Sequence, residues 1–372
     1  MCKKKILIIS RSFYPGISPR SFRTTELVKE FSKCGHEVTL LTHKVENENV
    51  YSNFEKDYNI TIKDLGKNIL PRIKLGKNKY LNLLKRIISR GLSILIEYPD
   101  IELVFLVKKA LKNETNYDLL ISIAVPHTTH WGVALALKKN KRITKVWVAD
   151  CGDPYMGASN DSFKKLFYFK YIEKWWCNKV DYITIPFDGA IEAYYKEFHF
   201  KIKIIPQGFN FNEIVIDEKE YVSNSIPTFA YSGLLIPGVR DPKPLVDYLL
   251  SIKIDFKFIF YNKQHLIMDS LINISNGMVE QRDYIERKEL IRTLSKMDFL
   301  INFNNNVPTQ LPSKLIDYYF TKRPVLMIDS YNFDKKIINQ FLKKDYSNKY
   351  QFDTIDSYRI EKVANQFLNL CR

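Results

Sequence analysis

Short apolar runs alternate along this chain with stretches in which apolar residues recur every three or four positions. Residues 5–10 (KILIIS) read as a strand and residues 21–34 as a helix. Gly35-His36-Glu37 then turns the chain into a second strand at 38–42. A glycine just past a helix closes it, so this turn marks the fold and carries no chemistry. Further strands are predicted at 118–124, 145–150, 182–186 and 203–206, with helices at 100–112, 129–138, 163–177 and 189–197 between them. Such alternation from end to end is the signature of parallel sheets wrapped by helices.

The composition changes after Gly208. Residues 209–227 are polar, partly acidic and end at Pro227, as a linker between domains would. A second series follows, with strands predicted at 228–232, 256–261, 277–280, 298–302 and 325–328. At 372 residues the chain suits two domains of ordinary size. The expected fold class is therefore α/β, with two doubly wound Rossmann-like domains facing across a cleft. Residues 1–208 form the first, 209–355 the second, and a last helix within 356–372 crosses back onto the first. Ligands of such sheets sit beyond the carboxyl ends of the strands.

Hydrophobic residues make up 45% of the chain, which suits packed cores rather than disorder. The formal net charge of +16 invites an anionic partner. Nucleic acid is disfavoured, because no RNA-binding aromatic motif, zinc spacing or recognition-helix pattern occurs. The five cysteines include no C-x-x-C pair or Cys/His cluster in sequence, so a reduced compartment without a structural metal is expected. The apolar start is too short for a signal peptide, and no uncharged run is long enough to cross a bilayer. The expectation is a cytoplasmic protein, peripheral on the inner face of the membrane. Residues 66–90 are basic, and apolar and cationic residues interleave from Tyr80 to Arg90 as on an interfacial helix, which suits an anionic membrane surface.

The densest chemical signal runs from Pro312 through Ser313, Lys314 and Asp317 to Tyr318, then through Lys322-Arg323-Pro324 into an apolar strand. It reads as a loop entering a helix. Pro312 suits a helix opening, and first-turn amides with the helix dipole favour an anion such as phosphate. Lys314 adds a cation there. Asp317 lies four residues after Ser313, on the same side one turn deeper, where a carboxylate accepts hydrogen bonds from a ribose diol. Phosphate and pentose together describe a nucleoside diphosphate.

These residues resemble the donor motif of GT-B glycosyltransferases, particularly the retaining family four, whose Glu-x7-Glu segment ends in EY-x-x-x-G-x-PV. Asp317-Tyr318 stands at the second acidic position, and Lys322-Arg323-Pro324-Val325 matches the closing turn. Thr309 stands where the family has its first acid. Tyr231-Ser232-Gly233-Leu234 resembles the strand end whose Gly-Arg pair neutralises the donor diphosphate. Here Gly233 matches, Leu234 replaces the arginine, and Arg240 and Lys243 are the available cations. The first loop carries Gly16, Arg20 and Arg23 where the family has a Gly-Gly pair, so side chains are expected to contact the acceptor. Val125-Pro126-His127-Thr128-Thr129-His130 follows a strand end, where the family places a histidine beside the donor sugar. His127, nearer the strand, is favoured over His130. Asp153, in a segment resembling D-x-x-DPW, is a candidate for an acceptor hydroxyl.

The resemblance implies transfer of a sugar from a nucleotide-diphosphate donor to a hydroxyl of a glycan or lipid-linked acceptor, with retention, no metal and no cofactor, in polysaccharide or lipopolysaccharide assembly. A GT-B epimerase and a non-catalytic GT-B protein are the alternatives, ahead of a basic nucleic-acid-binding module.

Overall fold

The structure, a computed structural model, describes residues 2–44, 48–73, 76, 78–137, 142–158, 164–213, 216, 221–304, 314–352 and 355–371. It divides into two compact units, residues 1–210 with 357–372, and residues 211–356.

In the first unit the elements run β1 (Lys5–Ser10), α1 (Pro19–Lys33), β2 (Glu37–Thr42), α2 (Glu48–Tyr58), β3 (Thr61–Asp64), α3 (Lys79–Ile96) and α4 (Glu102–Ala110). Then come β4 (Tyr117–Ile123), α5 (Thr128–Leu137), β5 (Thr144–Asp150), α6 (Phe169–Lys179), β6 (Tyr182–Ile185) and β7 (Ile202–Ile204). The strands form one parallel sheet in the order β3-β2-β1-β4-β5-β6-β7. Successive side chains of a strand point to opposite faces. In β1, Leu7 and Ile9 enter a core with Trp131, Trp147 and Trp176, while Ile6 and Ile8 enter another with Leu27, Val28 and Phe31. A strand buried on both faces has no polar positions to spare, which explains its unbroken apolar run.

The second unit repeats the plan: β8 (Thr228–Ser232), α7 (Lys243–Ser251), β9 (Lys257–Tyr261), α8 (His265–Ile274), β10 (Val279–Arg282), α9 (Arg287–Leu294), β11 (Phe299–Phe303), α10 (Lys314–Phe320), β12 (Val325–Ile328) and α11 (Lys335–Leu342). Its sheet is also parallel, ordered β10-β9-β8-β11-β12, with a core rich in stacked phenylalanines such as Phe229 and Phe299. The last helix, α12 (Ile360–Asn369), belongs to the first unit, where Val363, Ala364 and Phe367 pack with the apolar face of α1.

One local expectation fails, and two elements went unread. The helix predicted at 189–197 is a pair of 3-10 turns, Asp188–Ala193 and Lys196–Lys201. Tyr194 between them is extended (φ −109°, ψ 158°), and its ring is buried in the core. Strand β3 and helix α2 had no clear signature. β3 is a four-residue edge strand with only Ile62 buried, too little for an apolar run.

Candidate functional site

In the second unit, β8 ends at Ser232 and the chain turns through Gly233, whose φ of +137° lies where side-chain-bearing residues are strained. The loop that follows is pinned at several points. The Leu235 amide donates to Gln264 Oε1 (2.6 Å), and Gln264 Nε2 donates back to the Leu235 carbonyl (2.8 Å). Farther on, the Asp241 amide donates to Ser330 Oγ (2.9 Å), and that hydroxyl donates to the Val239 carbonyl (2.9 Å). Arg240 is thus held between two fixed anchors, with Nη1 3.4 Å from the Leu234 carbonyl.

Helix α10 begins beside this loop. Tyr318 locks it there, accepting from the Ser232 amide (2.9 Å) and donating to the Ile301 carbonyl (3.1 Å). Lys314, the first residue of α10, lays its Nζ over the Tyr231 ring, 4.0 Å from the centroid. That Nζ is buried and has no hydrogen-bond partner among the described residues. Burial, reinforced by the Arg240 guanidinium, drives the Lys314 amine well below its ordinary pKa. A buried ammonium without an acceptor is costly, and two cations held close are costlier. An anion at this point would relieve both.

Asp317, one turn along α10, is met by Arg287 at the start of α9. Arg287 Nε lies 2.8 Å and Nη2 2.6 Å from Asp317 Oδ1. Burial raises the Asp317 carboxyl above its usual range, and the guanidinium opposes that rise.

In the first unit, His127 and His130 flank the start of α5, beyond the carboxyl end of β4. His127 Nε2 lies 3.1 Å from the Asp153 carbonyl, and its Nδ1 is buried with no partner among the described residues. Burial lowers its pKa to about 4, so the ring is neutral at physiological pH. His130 is fully buried. Its Nδ1 lies 2.8 Å from Ser122 Oγ and its Nε2 3.4 Å from Cys151 Sγ. One donor atom from each of His127, His130 and Cys151 falls within 4.8 Å of the others, so this is the set among the described residues able to hold a metal. Burial pushes the Cys151 thiol up, which keeps it protonated unless a cation displaces the proton.

No protein-family model matches the chain, and no curated protein sequence does. Solved structures do match over nearly the whole length. A glycosyltransferase from Rickettsia africae superposes with a TM-score of 0.60 at 12% identity, covering 99% of this chain and 96% of that one. A mutant of TarM from S. aureus, in complex with Fondaparinux, α-GlcNAc-glycerol and UDP, gives 0.60 at 12% identity over 99% and 100% of the two chains. A UDP-N-acetylglucosamine 2-epimerase gives 0.52 at 10% identity over 98% and 94%. The chain has the GT-B fold.

Against this geometry, several of the residues singled out from sequence take other roles. Arg23 is no acceptor contact: it is buried and forms a two-pronged pair with Asp150, Nε to Oδ2 at 3.0 Å and Nη2 to Oδ1 at 2.8 Å. It also donates to the Pro206 and Ile205 carbonyls, tying α1 to the end of β5 and the chain beyond β7. Arg20, one helical turn earlier, keeps more exposure and stays 4.0 Å from Asp150. Gly152 leaves room for the Arg20 guanidinium, since a Cβ there would overlap it. Gly16 closes a turn, its amide donating to the Phe13 carbonyl (2.9 Å). His130 is a core histidine with both ring nitrogens engaged. Asp153 offers its carbonyl to His127. Lys243 is exposed and pairs with Asp247 at i,i+4 (2.7 Å), so Arg240 rather than Lys243 is the cation next to Lys314. Thr309, Pro312 and Ser313 lie outside the described residues. Sequence reasoning missed Arg287 and the burial of Lys314. Glu286, which caps α9 by accepting from the Lys288 and Glu289 amides, marks where that helix starts but not what it packs against.

Proposed function

We propose that the chain is a nucleotide-sugar glycosyltransferase whose second unit binds the donor. The observation that carries this reading is the buried Lys314 amine, without a hydrogen-bond partner among the described residues, beside Arg240 at the end of β8. A diphosphate supplies the anionic oxygens that the Lys314 amine lacks among the described residues, and charge-assisted bonds to it stabilise the leaving group as the glycosidic bond breaks. Lys314 takes over the task for which Leu234 has no charge. Asp317, oriented by Arg287, accepts from the ribose hydroxyls. Gly233 permits close approach of the backbone to the donor.

On the acceptor and sugar side we assign His127, with its remaining ring nitrogen, together with Arg20 and Asp153. A neutral imidazole there orients hydroxyls and does not act as a charged acid. The resemblance in sequence supports retention, transfer without a metal, and a cell-surface glycan acceptor. Unlike the epimerase alternative, this reading needs no paired carboxylates with a base, a set we do not find among the described residues.

A thermal-shift series with UDP, GDP, ADP and dTDP tests the proposal, since a ligand that binds the native state raises its melting temperature with affinity. At least one nucleoside diphosphate is expected to stabilise the protein, and Lys314→Met to shrink that shift at matched ligand concentration while remaining folded. No stabilisation by any of the four would remove the basis for donor binding here.

A further inference from the structure

Helix α3 turns its apolar residues the wrong way for a helix that only covers a core. None of its residues with described side chains is buried. The partly covered line runs through Asn82, Lys85, Ser89 and Leu92, spaced three and four apart and so on one face. Three of those four are polar. The exposed surface instead carries Tyr80, Leu83, Leu84, Ile87 and Ile88, with Tyr80 85%, Ile87 60% and Leu84 53% exposed. Arg86 and Arg90 lie exposed among them. A contiguous apolar surface of this kind marks an interaction site.

The helix is also preformed. Asn78 Oδ1 caps its start, accepting from the Tyr80 and Leu81 amides (3.0 and 3.2 Å). Its far end is tied to the body through Glu97, whose carboxylate accepts from Tyr155 Oη (2.9 Å) and from Lys165. The 18-residue sequence holds four basic residues, Lys79, Lys85, Arg86 and Arg90, and no acidic one.

We propose that α3 docks the protein in the plane of an anionic lipid leaflet. Its aliphatic face enters the boundary between headgroups and acyl chains, while Arg86 and Arg90 meet the negative headgroups. Charge complementarity selects this occupant. A second copy of the chain would bring the same cations against themselves, and a nucleic acid would leave the apolar face wet. Binding lies in the surface, because no helix among the described residues is long and apolar enough to cross a membrane. The inference stands apart from the donor reading, which concerns the other unit.

The test is co-sedimentation of the full chain with vesicles of phosphatidylcholine alone or mixed with phosphatidylglycerol. The chain is expected to pellet with the mixed vesicles, less so as salt rises. Arg86→Gln should weaken binding about fivefold, as one juxtamembrane cation contributes about 1 kcal/mol. The double variant Leu84→Glu with Ile87→Glu should stay in the supernatant with an unchanged circular dichroism spectrum, melting temperature and response to nucleoside diphosphates. Wild-type protein that ignores both vesicle types, or a double variant that pellets as well as wild type, overturns the proposal. So does a wild-type dimer, seen by light scattering, that the double variant converts to monomer without any vesicle binding.

Discussion

Arg287 and Asp317 bind helix α9 to helix α10, with the guanidinium Nε and Nη2 at 2.8 and 2.6 Å from one carboxylate oxygen. Both side chains are about four-fifths covered, 21% and 22% exposed. Arg287 therefore does two things: it opposes the rise that burial imposes on the Asp317 carboxyl, and it fixes the direction in which the second oxygen is offered.

Removing the arginine leaves a carboxylate that is covered and unpaired. Arg287→Met should lower stability by about 1–3 kcal/mol in denaturant unfolding. Under the donor reading, Asp317→Ala should also erase any preference for UDP over 2′-deoxy-UDP, since the carboxylate is the acceptor for the ribose hydroxyls. A persistent preference would place the ribose elsewhere.

The Arg23–Asp150 pair predicts a purely structural phenotype. Its charges are buried, with Thr184 Oγ1 also donating to Asp150 Oδ1 (2.7 Å), and Arg23 holds the Asp150 carboxyl below the usual range. Arg23→Met strands that charge and should cost about 3–5 kcal/mol. Adding Asp150→Leu should return much of the loss. Nucleotide binding by the folded fraction should be unchanged in both, which a donor-contacting Arg23 would not allow.

The contrast between these two pairs explains what the sequence could reveal. Strands β1, β2, β8 and β12 were legible because burial on both faces leaves a run of apolar residues that needs no tertiary information. The pairing of Arg23 with Asp150 spans 127 positions, and Arg287 with Asp317 spans 30. Neither spacing is periodic, so nothing local distinguishes Arg23 from Arg20, three residues away on the same helix. Lys314 was legible as a cation near a helix start. Its loss of solvent depends on Tyr231 and Arg240 arriving from β8 and the following loop. For α3 the composition was readable, while the face turned outward was not.

Glu173 on α6 makes a pH prediction. It is 1% exposed, and burial pushes its carboxyl up to about 7, with the Met156 backbone amide pulling slightly the other way. The folded state therefore holds the proton more tightly than the unfolded chain, where the ordinary value is 4.5. This stabilising contribution is complete below that ordinary value, falls as pH rises toward about 7, and is gone above it. The loss across that window is about 3 kcal/mol. His127, whose pKa burial lowers to about 4, titrates through the same window in both proteins, so the difference carries the test: in unfolding free energies measured at intervals, wild type should lose about 3 kcal/mol relative to Glu173→Gln as pH rises through it. Parallel curves for the two would mean the carboxyl ionises normally.

Lys314 yields the sharpest test because its predicted behaviour changes sign with ligand. In the free protein, burial and Arg240 depress its pKa, so the folded state gives up the proton more readily than the unfolded chain. Stability from this group rises with pH above the depressed value and is lost as pH falls through it. A bound diphosphate reverses the field at Nζ and favours the ammonium. Binding in mildly alkaline buffer should then be accompanied by uptake of a proton, seen as a heat that varies with the ionisation enthalpy of the buffer in titration calorimetry. Lys314→Met should bind roughly 10- to 100-fold more weakly, the worth of a charge-assisted hydrogen bond. It should show no uptake, and in the absence of ligand it should melt no lower than wild type, since it removes a buried amine that has no acceptor among the described residues. Tight binding by wild type with no buffer dependence would mean that the diphosphate is not seated on this amine.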